Sequence, residues 1–226
     1  MTKIKNVRMT DAAVTSALLD LRRATTKASQ PWALIGGQAL RAHGVPRDTL
    51  DIDAIVMPEG VSSLAELLVN EFEWVPLVYD PESNDYRSTD VVTIHRMDDP
   101  VLFDVGEQRA MVPLLSPMNV IVELLSAQHP VEVEMISTSA LQRHYEVVIP
   151  VAPLGAVLLV KQKADRTKDI GAIEQVAEHL SNDVLREAVE WARERDPATA
   201  EDLESTIQAA RIRRTPTTTT RIEKKR

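Results

Sequence analysis

Cysteine is absent from the 226 residues. That excludes disulfides and thiolate metal sites, and it suits a cytoplasmic setting. Aromatic residues are scarce, at 4%, and Trp32, Trp74 and Trp191 sit within apolar patterns that read as core. No apolar run reaches the ~18–20 residues of a membrane span, and the opening MTKIKNVRMTD has no apolar signal core. No membrane partner is therefore expected. A Walker A phosphate loop and a Gly-x-Ser-x-Gly nucleophile turn are both missing. The five histidines, His43, His95, His129, His144 and His179, share no metal-ligand spacing, which argues against zinc. Internal repeats are lacking as well.

Positive charge is in deficit. Lys and Arg number 26 against 34 Asp and Glu, for a net charge of −8, which argues against a general nucleic-acid coat protein. The deficit is uneven, because Arg211 to Arg226 carries seven Lys/Arg and the single acid Glu223. Such a tail on an acidic body can steer a chain to RNA or to an acidic partner. Its polar composition, with Thr217–Thr220, predicts a disordered stretch over 213–226. Over the whole chain the balance is ordinary for a soluble globular protein, 44% apolar and 27% charged.

The stretch from Gly36 to Asp53, GGQALRAHGVPRDTLDID, is the one around which the rest is organised. Asp51 and Asp53 alternate with apolar residues, so in a strand they point to one face. Alone, Asp-x-Asp is an ordinary pair on the wet face of an edge strand. The flanking Ile52, Ala54, Ile55 and Val56 place it instead in a central strand. Two adjacent carboxylates raise each other's pKa unless a cation lies between them, and hard oxygen ligands suit Mg2+. Gly36 and Gly37 follow the apolar run Trp32–Ile35 and precede a helical pattern, a strand-to-helix turn at which backbone N–H groups can approach phosphate. A phosphate turn and a carboxylate pair this close suggest one site for a nucleoside triphosphate (NTP) and its Mg2+.

Around this stretch the pattern predicts a helix capped at Thr10 or Asp11 and running to about Lys27. Strands are expected at Trp32–Ile35, Leu50–Met57, Glu73–Val78, Val91–His95 and Val147–Ala152, with a helix at Val61–Asn70. A hairpin is expected from Met111–Leu115 to Asn119–Leu125 about Ser116-Pro117, and a polar loop at Asp80–Asp90. Pro100–Val105 reads either as a strand or as the start of a helix. Helices follow at Ala156–Ala164, at Ile170–Arg195 with a break at Ser181–Asp183, and at Ala198–Ile212. The sheet should hold about five or six strands, the usual size. His43 would contact phosphate or, more simply, cap its own helix.

Gly36, Gly37 and Ala39, then His43-Gly44, then Arg47, Thr49, Asp51, Ile52 and Asp53, together resemble the signature of the nucleotidyltransferase fold of the polymerase beta superfamily. Within it they look most like the AbiEii-type nucleotidyltransferase toxins and related minimal nucleotidyltransferases. The resemblance extends from Trp32 to about Leu180. It implies an α/β (α+β) nucleotidyltransferase fold with a mixed, twisted sheet, followed by a helical C-terminal part. The expected division is an N-terminal helix over 1–30, a nucleotidyltransferase domain over 31–155, helices over 156–212 and the basic tail over 213–226.

The resemblance also implies a third acid on a neighbouring strand, in a Val-Asp-Leu-Leu context, that completes the metal site or acts as general base. Here Glu123 stands in Val-Glu-Leu-Leu, one methylene longer, and a lone carboxylate in an apolar run needs such a reason. Asp104 and Glu134 are its rivals. Lys161, Arg166, Lys168 and Asp169 match a further family segment, whose additional Asp is Ala172 here. The implied roles are Asp51, Asp53 and Glu123 at Mg2+, and Gly36, Gly37, Arg47, Thr49, Lys161, Arg166 and Asp169 at the nucleotide, with Lys161 also catalytic. Asp169 would orient Lys161 or pair with Arg166. The implied activity moves NMP from an NTP to an acceptor hydroxyl, RNA such as a tRNA 3′ end, in a toxin–antitoxin or phage-defence setting with a cognate antitoxin. A small-molecule acceptor, a protein hydroxyl and a silent nucleotide-binding module are the alternatives.

Overall fold

The computed structural model describes residues 9–80, 85–98 and 108–214. The chain opens on helix α1 (Asp11–Lys27), whose N-cap Thr10 accepts the Ala13 N–H through its hydroxyl. Such a cap satisfies one of the donors that a helix start leaves free. Ala13, Val14, Ala17, Leu18, Leu21 and Ala24 form its buried stripe.

Strand β1 (Trp32–Ile35) runs directly into the short helix α2 (Gly36–Ala42), and β2 (Asp51–Val56) returns antiparallel to β1. A turn at Pro58–Gly60 leads to α3 (Val61–Phe72). Then come β3 (Val75–Asp80), β4 (Asp85–Ser88), β5 (His95–Asp98), β6 (Gln108–Leu115), β7 (Ile121–Ser126), α4 (Pro130–Ser137), β8 (Ala140–His144) and β9 (Val147–Val151). Four helices complete the described residues: α5 (Leu154–Ala164), α6 (Thr167–His179), α7 (Asn182–Arg193) and α8 (Pro197–Arg214).

The nine strands form one mixed sheet in the order β4-β3-β6-β7-β2-β1-β9-β8, with β5 also on β6. The pairs β2–β7 and β1–β9 are parallel; the other pairs are antiparallel. Because strand side chains alternate, β2 and β7 each divide their residues between two faces. Ile52, Ala54 and Val56, with Val122 and Leu124, enter the main core beside Leu18, Leu21, Leu64 and Leu68. Asp51, Asp53 and Glu123 are left on the opposite face. Burying a Leu or Ile side chain contributes about 1.5–3 kcal/mol, so the apolar alternation fixes this register and with it the face on which the acids emerge.

Several elements depart from the sequence expectation. The polar stretch after Asp80 contains a strand, β4, which pairs with β3 from Leu77↔Ser88 to Asp80↔Asp85. Strand β5 starts at His95 instead of ending there, paired to β6 from Met111 to Gln108. Strand β8, for which the sequence gives no signal, pairs with β9. Helix α8 continues through Arg214, so Arg213 and Arg214 belong to it and not to a tail. Arg211 donates to the carbonyls of Ala177 and Leu180 at the end of α6, at 3.1 and 2.8 Å. Residues 215–226 and 100–105, the latter including Asp104, lie outside the described residues. No helix among the described residues is long and apolar enough to cross a membrane.

Candidate active site

The two glycines of the central stretch make room for the two acids. Gly36 has φ +66°, a left-handed conformation that a side chain disfavours. A Cβ there would come 1.7 Å from Asp53 Oδ2. A Cβ on Gly37 would come 2.7 Å from Thr49 Oγ1, and that hydroxyl donates to Asp51 Oδ1 at 2.8 Å. Turn and strand are thus fitted together: Gly36 seats Asp53, and Gly37 seats the Thr49 that orients Asp51. Ile35, the residue before the turn, is the register partner of Asp53 on β2.

Strand β7 supplies the third acid. In its parallel pairing with β2, Glu123 is the register partner of Asp53. Of the rivals, Glu134 is on α4 and is ion-paired with Arg195, which donates from Nε at 2.8 Å. It belongs to a junction with the C-terminal helices, where the Arg195 guanidinium stacks on Trp191 at 3.8 Å.

The electrostatics of the cluster are those of excess negative charge. Burial pushes the Asp53 carboxyl well above the usual carboxylate range, and the charges of Asp51 and Glu123 push it further. Lys161 and Lys168 pull in the other direction. Glu123 is raised by burial and by Asp51, and is lowered by the hydroxyl of Tyr86 and by a hydrogen bond with Asp53. Tyr86 Oη donates to Glu123 Oε1 at 2.6 Å, the length of a charge-assisted bond. Burial and the Glu123 charge in turn hold the Tyr86 phenol well above its ordinary pKa.

The donor set fits Mg2+. It consists of carboxylate oxygens, which are hard ligands, and the raised Asp53 pKa marks uncompensated charge that a divalent cation would relieve. Among the described residues the acids as they stand do not close into a preformed group of three metal ligands. Glu123 is held by Tyr86, and Asp53 lies over Gly36.

The cations are arranged at the junction of α5 and α6. Lys161 Nζ donates to Asp169 Oδ1 at 2.8 Å, and Arg166 Nε to Asp169 Oδ2 at 2.6 Å. Asp169 therefore does both things weighed for it in the sequence. Burial raises its pKa, but the hydrogen bonds and charges of Lys161 and Arg166 outweigh that and hold it below the usual range. Lys161 is committed to this buried acid. Lys168, one residue before Asp169 in the first turn of α6, is exposed and its charge reaches both Asp53 and Glu123.

Arg47, expected at the nucleotide, lies against α6. Its Nη1 donates to Gln175 Oε1 on α6 at 3.0 Å, and with Arg41 and His179 it lines a groove of about 1090 Å³. His43 caps its own helix through its backbone, its N–H donating to the Ala39 carbonyl at 3.0 Å. It is the C-cap residue of α2, and its Nε2 is 2.9 Å from the carbonyl of Ala152 after β9. The buried Gln38 and His144 are joined at 3.0 Å between α2 and β8. These two contacts fix the glycine turn against the far half of the sheet.

Sequence reasoning missed Tyr86 and gave Lys168 no role. Lys168 was visible as the cation preceding Asp169 at a helix start. Tyr86 offered no signal, because it meets Glu123 across 37 positions of sequence and only the folded sheet brings the two together.

No family model matches this chain, and no curated protein does. Solved structures do match. A Thermotoga maritima protein assigned by name as a nucleotidyltransferase superposes with a TM-score of 0.51 at 13% identity, over 76% of this chain and 96% of that one. The antibiotic-resistance factor ANT(2″)-Ia gives 0.42 at 14% identity, over 90% and 94%. A Helicobacter pylori protein, also assigned by name as a nucleotidyltransferase, gives 0.40 at 16% identity, over 91% and 97%. The first superposition identifies the architecture: the chain has the nucleotidyltransferase fold. At these identities the likeness concerns the fold alone.

Proposed function

We propose that this chain is a metal-dependent nucleotidyltransferase that moves NMP from an NTP to an acceptor hydroxyl. The observation that carries the reading is the meeting of Asp51, Asp53 and Glu123 on one face of adjacent parallel strands, with Asp53 and Glu123 in register. Asp51 and Asp53, with Glu123, would hold Mg2+, which when bound neutralises phosphate charge and polarises the α-phosphate. Thr49 keeps Asp51 in place, and Gly36 keeps the way to Asp53 clear. The backbone of the Gly36–Gly37 turn is the place assigned to the phosphates. Glu123 takes the proton of the acceptor hydroxyl, the role of a general base within hydrogen-bond reach. Lys168 offers its charge to the triphosphate and the departing pyrophosphate. Lys161, with Arg166, supports that corner through Asp169, and Arg47 offers charge further along the groove beside α6.

For the acceptor we infer RNA, a tRNA 3′ end, in a toxin–antitoxin or phage-defence setting with a cognate antitoxin as protein partner. Support for this comes from the likeness of the Gly36–Asp53 signature to the AbiEii-type toxins. The test is incubation of the full chain with each α-labelled NTP, Mg2+ and total tRNA, beside the Asp51→Ala/Asp53→Ala variant and an EDTA control. Label on tRNA with wild type and Mg2+ only is expected. Label moved instead to an aminoglycoside in a parallel assay would replace the RNA acceptor with a small molecule. NTP bound but never turned over, with either acceptor, would leave a silent nucleotide-binding module.

A further inference from the structure

The β3–β4 hairpin delivers a hydroxyl to the base of the site. Tyr86 Oη donates to Glu123 Oε1 at 2.6 Å. The ring of Tyr79 meets that of Tyr86 edge-on, with centroids 5.6 Å apart, and the neighbouring Arg87 is ion-paired with Asp80 across the same hairpin. The phenol is therefore held in place from its own hairpin. It is half-buried, not sealed. An acceptor hydroxyl must lie within about 2.6–3.2 Å of the group that takes its proton. That base must in turn adjoin the carboxylates on which the nucleotide is held. Glu123, in register with Asp53, meets the second condition, and Tyr86 meets the first. The chain's own phenol thus stands where a hydroxyl can hand its proton to Glu123.

We propose that Tyr86 is itself an acceptor, and that the protein nucleotidylates its own hairpin. The inference rests on the nucleotidyl-transfer reading and goes one step beyond it. The Tyr86 oxygen attacks the α-phosphorus of the bound NTP. The Oη–P bond forms as the bond from the α-phosphorus to the bridging oxygen of the β-phosphate breaks. Pyrophosphate leaves with that electron pair, and the phenol proton passes to Glu123 and on to water. Nothing is oxidised or reduced. The product is a phosphodiester between Tyr86 and a nucleoside.

This product has two consequences for the site. Tyr86 has lost the proton it donates to Glu123, and the attached nucleotide lies where an external acceptor would enter. The reaction is therefore stoichiometric, one NMP per chain, and closes the site to further transfer. The other two tyrosines make different contacts. Tyr145 lies under the Arg41 guanidinium, 5.4 Å from its ring centre, and Tyr79 packs on the edge of Tyr86.

The experiment is to incubate the full chain with Mg2+ and each of the four NTPs, without added acceptor, and to read intact mass and then peptide masses. Tyr86→Phe keeps the ring and removes the attacking oxygen. Calorimetric binding of a non-hydrolysable NTP analogue to both proteins reports whether the nucleotide site is present, independently of turnover. The expected result is one NMP on the Tyr86 peptide of wild type and none on Tyr86→Phe, with the analogue bound by both. An adduct that persists in Tyr86→Phe overturns the proposal. So does a wild type that binds the analogue and labels an added tRNA or aminoglycoside but never itself. A wild type that fails to bind the analogue at all removes the nucleotidyl-transfer reading, and this proposal with it.

Discussion

Replacing Gly36 with Ala tests the geometry of the site at a single atom. Two costs are separable. The first is backbone strain: a residue with a Cβ held in the left-handed region costs roughly 1–2 kcal/mol. The second is collision, since the new Cβ would stand 1.7 Å from Asp53 Oδ2, so Asp53 must turn away or β2 must move. Gly44 provides the comparison. It too has positive φ, +88°, but a Cβ there meets nothing within 4 Å. Gly44→Ala should show the strain alone, a Tm lower by about 2–8 °C for a chain of this size. Gly36→Ala should lose at least as much stability. Its NMP transfer should also fall at least about a hundredfold, the scale of a 1 Å misplacement of a catalytic group. The assay is thermal melting together with transfer from α-labelled NTP under single-turnover conditions. A Gly36→Ala protein that transfers like wild type would refute the seating of Asp53 on this turn. Equal losses of transfer in the two variants would refute the separation of strain from collision.

Other perturbations follow from the same charges and contacts. Asp53→Asn removes a buried like charge whose pKa is raised by burial and by Asp51 and Glu123, so it should raise stability in urea unfolding without metal; added Mg2+ should raise the Tm of wild type but not of this variant. Asp169→Asn breaks the pairs with Lys161 and Arg166 and should cost about 2–4 kcal/mol in urea unfolding at pH 7. Because the Asp169 pKa is lowered by folding, that contribution is full above the ordinary carboxylate range and vanishes as pH falls through the folded value, so the two proteins should converge in acid. His144 is pushed down to about 4 by burial and by Arg41, and the native state therefore resists its protonation. Stability should decline from about pH 6.5 to about pH 4 by up to about 3 kcal/mol, and His144→Gln should flatten that slope; an unchanged slope would count against it.

What the sequence made legible and what it hid have physical reasons. Asp51 and Asp53 stood out because apolar neighbours forced the strand, and strand alternation then forced both acids to one face. Glu123 was legible as a carboxylate in a run otherwise buried. Helix α1 and the hairpin β6–β7 announced themselves through a cap at Thr10 and a turn at Ser116-Pro117. Strand β8 did not, because His144 is its only buried residue and an edge strand with one buried side chain leaves no alternation to read. Strand β4, DYRS, is held by pairing to β3 and by Tyr79 against Tyr86, contacts between positions that local pattern cannot connect. Lys161 illustrates the same limit at the site. Its presence near a nucleotide was inferred from its segment, whereas its commitment to Asp169 depends on how α5 meets α6.

The parallel pairing of β2 with β7 has a consequence for how the protein is made. The hairpin of β1 and β2 can form early, from neighbouring residues. Glu123, however, reaches Asp53 only after the whole of α3, β3 to β6 and their connections has emerged and closed. The pair β1–β9 waits longer still, with Leu34 finding Val151. Long closures of this kind are slow, since the loop entropy is lost before any contact compensates for it. A nascent chain on the ribosome therefore carries two of its acids long before it has the third, and every shorter folding intermediate lacks the complete site.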